Sequence, residues 1–303
     1  MAKLAPESYL RPDIIRQVQR FDLKAKFLIE GFLSGLHSSP FKGFSVEFSE
    51  HRKYVRGDDV RTIDWKLWSR TNRYYVKQYE AETNLTGTLV VDTSASMGYS
   101  GTRGGITKLQ YATYLAAAMA YLMIHQQDPV GLVTCGERVG TFLKPRSKSS
   151  HLFSMLKVLN ESVPAGTTNL AQNLHQVAEM ISHRGMVMIF TDLLDDAGEE
   201  KILDALGHLR YRGHDVIVFQ IFDAAEVSFP FNELMRFEDI EGQAETITAD
   251  PPAIRKEYMK ELNAFLERYR TECSKRHVDF VALDTSQSFD KPLMAYLQKR
   301  CGV

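Results

Sequence analysis

The chain has 303 residues, 44% of them hydrophobic, which is enough for one large or two ordinary domains around a substantial core. Its 37 Lys and Arg balance 38 Asp and Glu, for a formal net charge of -1, and such a surface exerts no bulk attraction on nucleic acid or an anionic membrane. Cys135, Cys273 and Cys301 are odd in number and far apart, so they support neither a disulfide framework nor a zinc site. The opening MAKLAPESYLRPD has no apolar h-region, and the longest apolar stretch, Tyr111 to Ile124, falls short of the roughly 20 residues of a membrane-spanning helix. These features predict a soluble, cytoplasmic protein with no membrane span.

From Asp13 to about Leu36, Ile14, Ile15, Val18, Phe21, Ala25, Leu28, Ile29 and Phe32 recur at helical spacing, with basic residues on the other face. Residues 41–82 are polar but aromatic-rich, with short β-like stretches at Ser45–Phe48 and Tyr74–Tyr79 separated by turn residues. The area of Trp65, Trp68, Tyr74, Tyr75 and Tyr79 calls for burial, which predicts a small irregular β module rather than a linker. Residues 1–85 are therefore read as an N-terminal helix plus this module, and residues 86–303 as the main domain.

After Thr86, strands and helices alternate. TGTLVVD, PVGLVTC, MVMIFTD, DVIVFQIF and HVDFVALD read as strands. Helices are expected at Thr107–Gln127, Ser149–Asn160, Leu170–Ser182, Glu199–Tyr211, Ala253–Arg276 and Pro292–Lys299. Continuous apolar strands alternating with helices predict an α/β fold with a doubly wound, mostly parallel sheet covered on both faces. The interval near 223–252 breaks the rhythm, and RFEDIEGQAETIT within it reads as an inserted β-hairpin turning near Gly242.

The first strand runs into Asp92-Thr93-Ser94-Ala95-Ser96, at the strand end where open parallel sheets bind ligands. Alternate residues of an extended turn project the same way, so Asp92, Ser94 and Ser96 converge. Thr168, in the loop GTTNL, and Asp192, closing MVMIFTD, add oxygens from two other loops. An all-oxygen set rich in hydroxyls suits a hard cation, Mg²⁺ or Mn²⁺. Each piece has a plain structural alternative: Thr168 as a helix cap, Asp192 as a turn residue, and DTSAS as a capping network.

DTSAS, GTTNL and FTD, in this order, resemble the metal-ion-dependent adhesion site of von Willebrand factor A domains. The upstream EFSEHRKYVRGDDVRTIDWKLWSRTNRYYVKQYEAE and the tail DTSQSFDKPLMAYLQKR resemble the bacterial "domain of unknown function 58" family. The resemblance implies that Ser94, Ser96 and Thr168 bind the metal directly while Asp92 and Asp192 act through water. It also implies that a partner protein's carboxylate completes the shell, and that a MoxR-type AAA+ ATPase is the leading partner. Two departures from the usual pattern stand out. Asp195 and Asp196 follow Asp192 as competing outer ligands, and Thr167 sits where a glycine is common.

Three function classes follow. The first is a noncatalytic, Mg²⁺-dependent protein-binding adaptor. The second is a phosphohydrolase or phosphotransferase using Asp92 as nucleophile, which usually wants an acid two residues on, where Ser94 stands. The third is a scaffold with an empty metal site. The Gly57-Asp58-Asp59, Arg61 and Asp64-Trp65 segment reads as a hydrogen-bonded clamp, a second acidic site or a partner contact, and the sequence leaves these open.

Overall fold

The computed structural model describes residues 51–53, 69, 74–77, 86–101, 105–242, 246–289 and 292–294. The helix expected at 13–36, the stretch 45–48 and the segment from Gly57 to Trp65 lie outside them, as does most of the last expected helix. The chain divides into two compact units, Leu36–Asn84 and the remainder. In the smaller unit, β1 (His51–Lys53) pairs antiparallel with β2 (Tyr75–Lys77), with Arg52 opposite Val76.

The larger unit is built on a six-stranded sheet. In chain order its strands are β3 (Gly87–Asp92), β4 (Val130–Cys135), β5 (Val139–Arg146), β6 (Met186–Thr191), β7 (Asp215–Phe222) and, after the β8 (Met235–Phe237) and β9 (Ile247–Ala249) of an insertion, β10 (Asp279–Asp284). Across the sheet the order is β10-β7-β6-β3-β4-β5, parallel except for β5, which runs antiparallel to β4. Every residue of β3, β4 and β6 is buried, as strands covered on both faces require. The edge strand β5 was not expected. Its residues are half-buried or exposed, so it carries no apolar run, and Pro145 is tolerated because it sits on an edge.

Helix α1 (Lys108–His125) covers one face of the sheet, with most of its residues buried. Thr107 opens it with a capping box: its hydroxyl accepts from Gln110 N at 3.1 Å, and Gln110 Oε1 accepts from Thr107 N at 3.3 Å. A Cβ on Gly87 would lie 2.4 Å from Met123 Cε, so the glycine lets α1 approach β3. The opposite face packs Val90, Val133, Ile189 and Val218 against α3 (Leu170–Met180), α4 (Glu199–Tyr211) and the buried Tyr269 and Cys273 of α6 (Pro251–Lys275). Helix α2 (Ser149–Glu161) flanks α1 and β5.

The insertion lies where the rhythm of the sequence breaks. It holds a short helix α5 (Ala224–Ser228) and a hairpin of β8 (Met235–Phe237) and β9 (Ile247–Ala249). Gly242 supplies a positive φ of 72° in the connection. From β3 the chain steps outward to β4 and β5, then crosses back to β6 on the far side of β3. Strand order therefore reverses at β3, and the carboxyl ends of β3 and β6 flank the crevice where such sheets bind ligands.

Candidate metal centre

Asp92 is the last residue of β3 and is 2% exposed. The backbone turns immediately after it, so Ser94 N donates to Asp92 Oδ1 at 2.9 Å. The following residues wind into a 3-10 turn, Ala95–Gly98, which brings Ser96 Oγ to 3.1 Å from Ser94 Oγ. Ser94 is fully buried and Ser96 half-buried. The neighbouring strand completes this corner: Thr191, ending β6, donates its hydroxyl to Asp92 Oδ2 at 2.6 Å and accepts Leu193 N at 3.1 Å. Asp92, Ser94 and Ser96 thus come together as the sequence predicts, and Thr191 joins them.

Asp192 follows Thr191 and is completely buried. Leu194 N donates to its Oδ1 at 3.1 Å, and the ammonium of Lys108 donates to its Oδ2 at 2.8 Å. Lys108 also reaches Glu226 Oε1 at 3.0 Å and is itself only 1% exposed. Burial works against that charge, but Asp192 and Glu226 together outweigh it and hold the ammonium above its ordinary pKa. Glu226 in turn accepts Asp223 N at 2.6 Å, and Asp223 Oδ2 accepts the Thr285 hydroxyl at 3.0 Å. Polar side chains therefore link the carboxyl ends of β6, β7 and β10.

Burial first, and then the nearby charge of Asp192, push the Asp92 carboxyl up to about 6, against the lowering effect of its bonds to Thr191 and Ser94. The two acids are close enough to repel, with one lysine to offset them. A divalent cation beside the paired serine hydroxyls would relieve that repulsion, so the donor chemistry fits Mg²⁺ or Mn²⁺. Among the described residues no three His, Cys, Asp or Glu side chains form a metal cage. A set of hydroxyls with two carboxylates is a different kind of site.

The loop carrying Thr168 is stitched to the DTSAS loop by the backbone: Ala165 N donates to Thr93 O at 3.0 Å, and Ala95 N donates to Gly166 O at 3.0 Å. Thr168 does not cap α3, whose cap position is held by Asn169. Its hydroxyl and amide both donate to Glu241, at 2.6 and 3.0 Å. Asp195 is engaged elsewhere, accepting Ala171 N at 3.0 Å and Ala197 N at 2.9 Å, so it serves the start of α3. The sequence reading missed Lys108, Thr191, Glu226 and Glu241. Two left a trace: Thr191 stands inside the FTD motif, and Lys108 is a cation in the first turn of a helix, where the dipole disfavours it.

The profile of the family described as "Protein of unknown function DUF58" matches residues 50–267, well over half of the chain. This chain belongs to the DUF58 family. An uncharacterized protein of Mycobacterium tuberculosis is 28% identical to this DUF58 chain over 267 residues, covering 86% of it and 82% of the relative. Among solved structures, the conserved hypothetical protein BatB of Bacteroides thetaiotaomicron aligns with 72% of the chain and 100% of its own, at 15% identity and a TM-score of 0.49. A von Willebrand factor type A structure from Catenulispora acidiphila covers 49% of the chain and 34% of its own, at 13% identity and a TM-score of 0.35. The larger unit has an α/β fold with a mostly parallel sheet flanked by helices.

Proposed function

We propose that this DUF58 protein is a noncatalytic, metal-dependent adaptor that grips an acidic side chain of a protein partner through one Mg²⁺ or Mn²⁺. Ser94, Ser96 and Thr168 would hold the cation directly, with Asp92 and Asp192 behind them. The observation that carries this reading is the Ser94–Ser96 hydroxyl pair set beside two buried, mutually repelling aspartates at the reversal of strand order. Neutral hydroxyls leave a bound cation's charge poorly neutralised, and the chemistry it supplies is attraction for an outside carboxylate. Lys108 strengthens that arrangement by occupying one oxygen of Asp192 and so reducing the negative charge left for the cation.

The phosphohydrolase alternative asks for an acid two residues after Asp92 and a lysine open to phosphate. Ser94 holds the first position, and Lys108 is buried with its ammonium shared between two carboxylates. Both features favour binding over phosphoryl transfer. A MoxR-type AAA+ ATPase is the partner we propose, on the ground of family membership.

The test is a Mn²⁺ titration followed by electron paramagnetic resonance, with capture of host proteins in Mg²⁺ and in EDTA. One bound ion is expected, lost in Asp92→Ala and Ser96→Ala, together with Mg²⁺-dependent capture of an AAA+ ATPase. Absence of Mn²⁺ binding would leave a scaffold with an empty site, and Asp92-dependent turnover of a phosphate ester would establish the enzyme instead.

A further inference from the structure

Glu241 sits 73 positions from Thr168 in sequence, yet it offers one carboxylate oxygen to the Thr168 hydroxyl at 2.6 Å and the other to its amide at 3.0 Å. A hydroxyl that ligates a cation through its lone pair must give its hydrogen to some acceptor, and here that acceptor is an anion. The chain around Glu241 is shaped to present it. Asp239 accepts the amide of Glu241 at 2.9 Å through its side chain and the amide of Gly242 at 3.2 Å through its backbone. The base of the hairpin is anchored to the body, with the Phe237 ring stacked on Phe229 at 6.1 Å and Phe229 stacked on Tyr258 at 4.4 Å. Arg255 fixes the same region through bonds to Phe229 O and Phe231 O. Beyond that base, Ile240 is exposed, and the described part of the tip meets the body through Glu241. That contact is a pair of charge-assisted hydrogen bonds to one residue.

Resting on the metal reading above, we propose that Glu241 is an internal carboxylate ligand of the centre, standing where a partner's acidic side chain would stand. The insertion is then a tethered competitor: its anchored base keeps Glu241 at high local concentration, and a partner's acid must displace the tip. Binding to this centre is set by the difference between the two carboxylates rather than by the partner's contacts alone.

The experiment uses the full chain and Mn²⁺ as the only added ligand. Mn²⁺ affinity is measured for the wild type, Glu241→Gln and Asp92→Ala, alongside amide hydrogen exchange over residues 235–249 with and without Mn²⁺. Glu241→Gln is expected to weaken Mn²⁺ binding about tenfold, or roughly 1.4 kcal/mol, while melting unchanged in EDTA. Mn²⁺ should slow exchange across the hairpin in the wild type and leave it unaltered in Glu241→Gln. Equal affinities overturn the proposal. So does a fall in affinity without the exchange response, because loss of a nearby charge would explain that by itself. If the wild type binds no Mn²⁺, or binds it equally well in Asp92→Ala, the metal reading fails and takes this inference with it.

Discussion

Lys108 stands in the first turn of α1, where the helix dipole repels a cation. It is tolerated because Asp192 and Glu226 face it from two other elements. Lys108→Met preserves much of the volume but leaves Asp192 and Glu226 near one another, and Asp192 near Asp92, without this counter-charge. Removing one partner of a buried ion pair typically costs about 3–5 kcal/mol, and a loss of that order is expected in denaturant unfolding with EDTA. Excess Mg²⁺ should restore part of it. A variant as stable as the wild type would mean that the three acids tolerate one another without the lysine.

Two connections show how elements constrain one another. Gly185 precedes β6, and a Cβ there would sit 2.2 Å from Thr86 O, the carbonyl that accepts Met186 N at 2.9 Å. Gly185→Ala must push apart the starts of β3 and β6, at an expected cost of about 1–3 kcal/mol, read from the denaturation midpoint. His214, between α4 and β7, is 1% exposed, and burial followed by the charge of Arg212 lowers its pKa below the ordinary 6.5. A depressed folded pKa means that the unfolded chain takes up the proton first. The stability this histidine contributes is therefore whole above about pH 6.5 and is lost as the pH falls toward its folded pKa. Melting temperatures at about pH 7.5 and about pH 5.5 should show a smaller acid-side drop in His214→Gln than in the wild type. An identical drop would assign the acid sensitivity to other groups.

For the whole molecule, a cation that binds the folded chain and not the unfolded one stabilises it by mass action. At a hundredfold excess over its Kd, Mg²⁺ should add about 2.7 kcal/mol, reversibly removed by EDTA. Asp92→Ala should unfold at the same point with and without the ion. If Mg²⁺ shifts the unfolding of both proteins equally, it acts through surface screening and not through this centre.

The sheet was legible because its strands are continuous apolar runs. TLVVD, GLVTC and MVMIFT can satisfy water-excluded faces only between layers of helix, so the sequence determined the α/β body, the parallel strands and the rim on which Asp92 and Asp192 fall. It also determined that Ser94 and Ser96 lie on one side of a turn, since their spacing is local. The hairpin insertion was legible from the break in the rhythm of strands and helices and from its turn at Gly242. The edge strand β5 was not, because a half-exposed strand needs no apolar run. What joins residues far apart in the chain was decided only in three dimensions. Thr191 reaches Asp92 across 99 positions, Lys108 reaches Asp192 across 84, and Glu241 reaches Thr168 across 73. A charged or hydroxyl side chain reads as ordinary surface until tertiary packing removes its water, and only then does the need for a partner fix which one it meets.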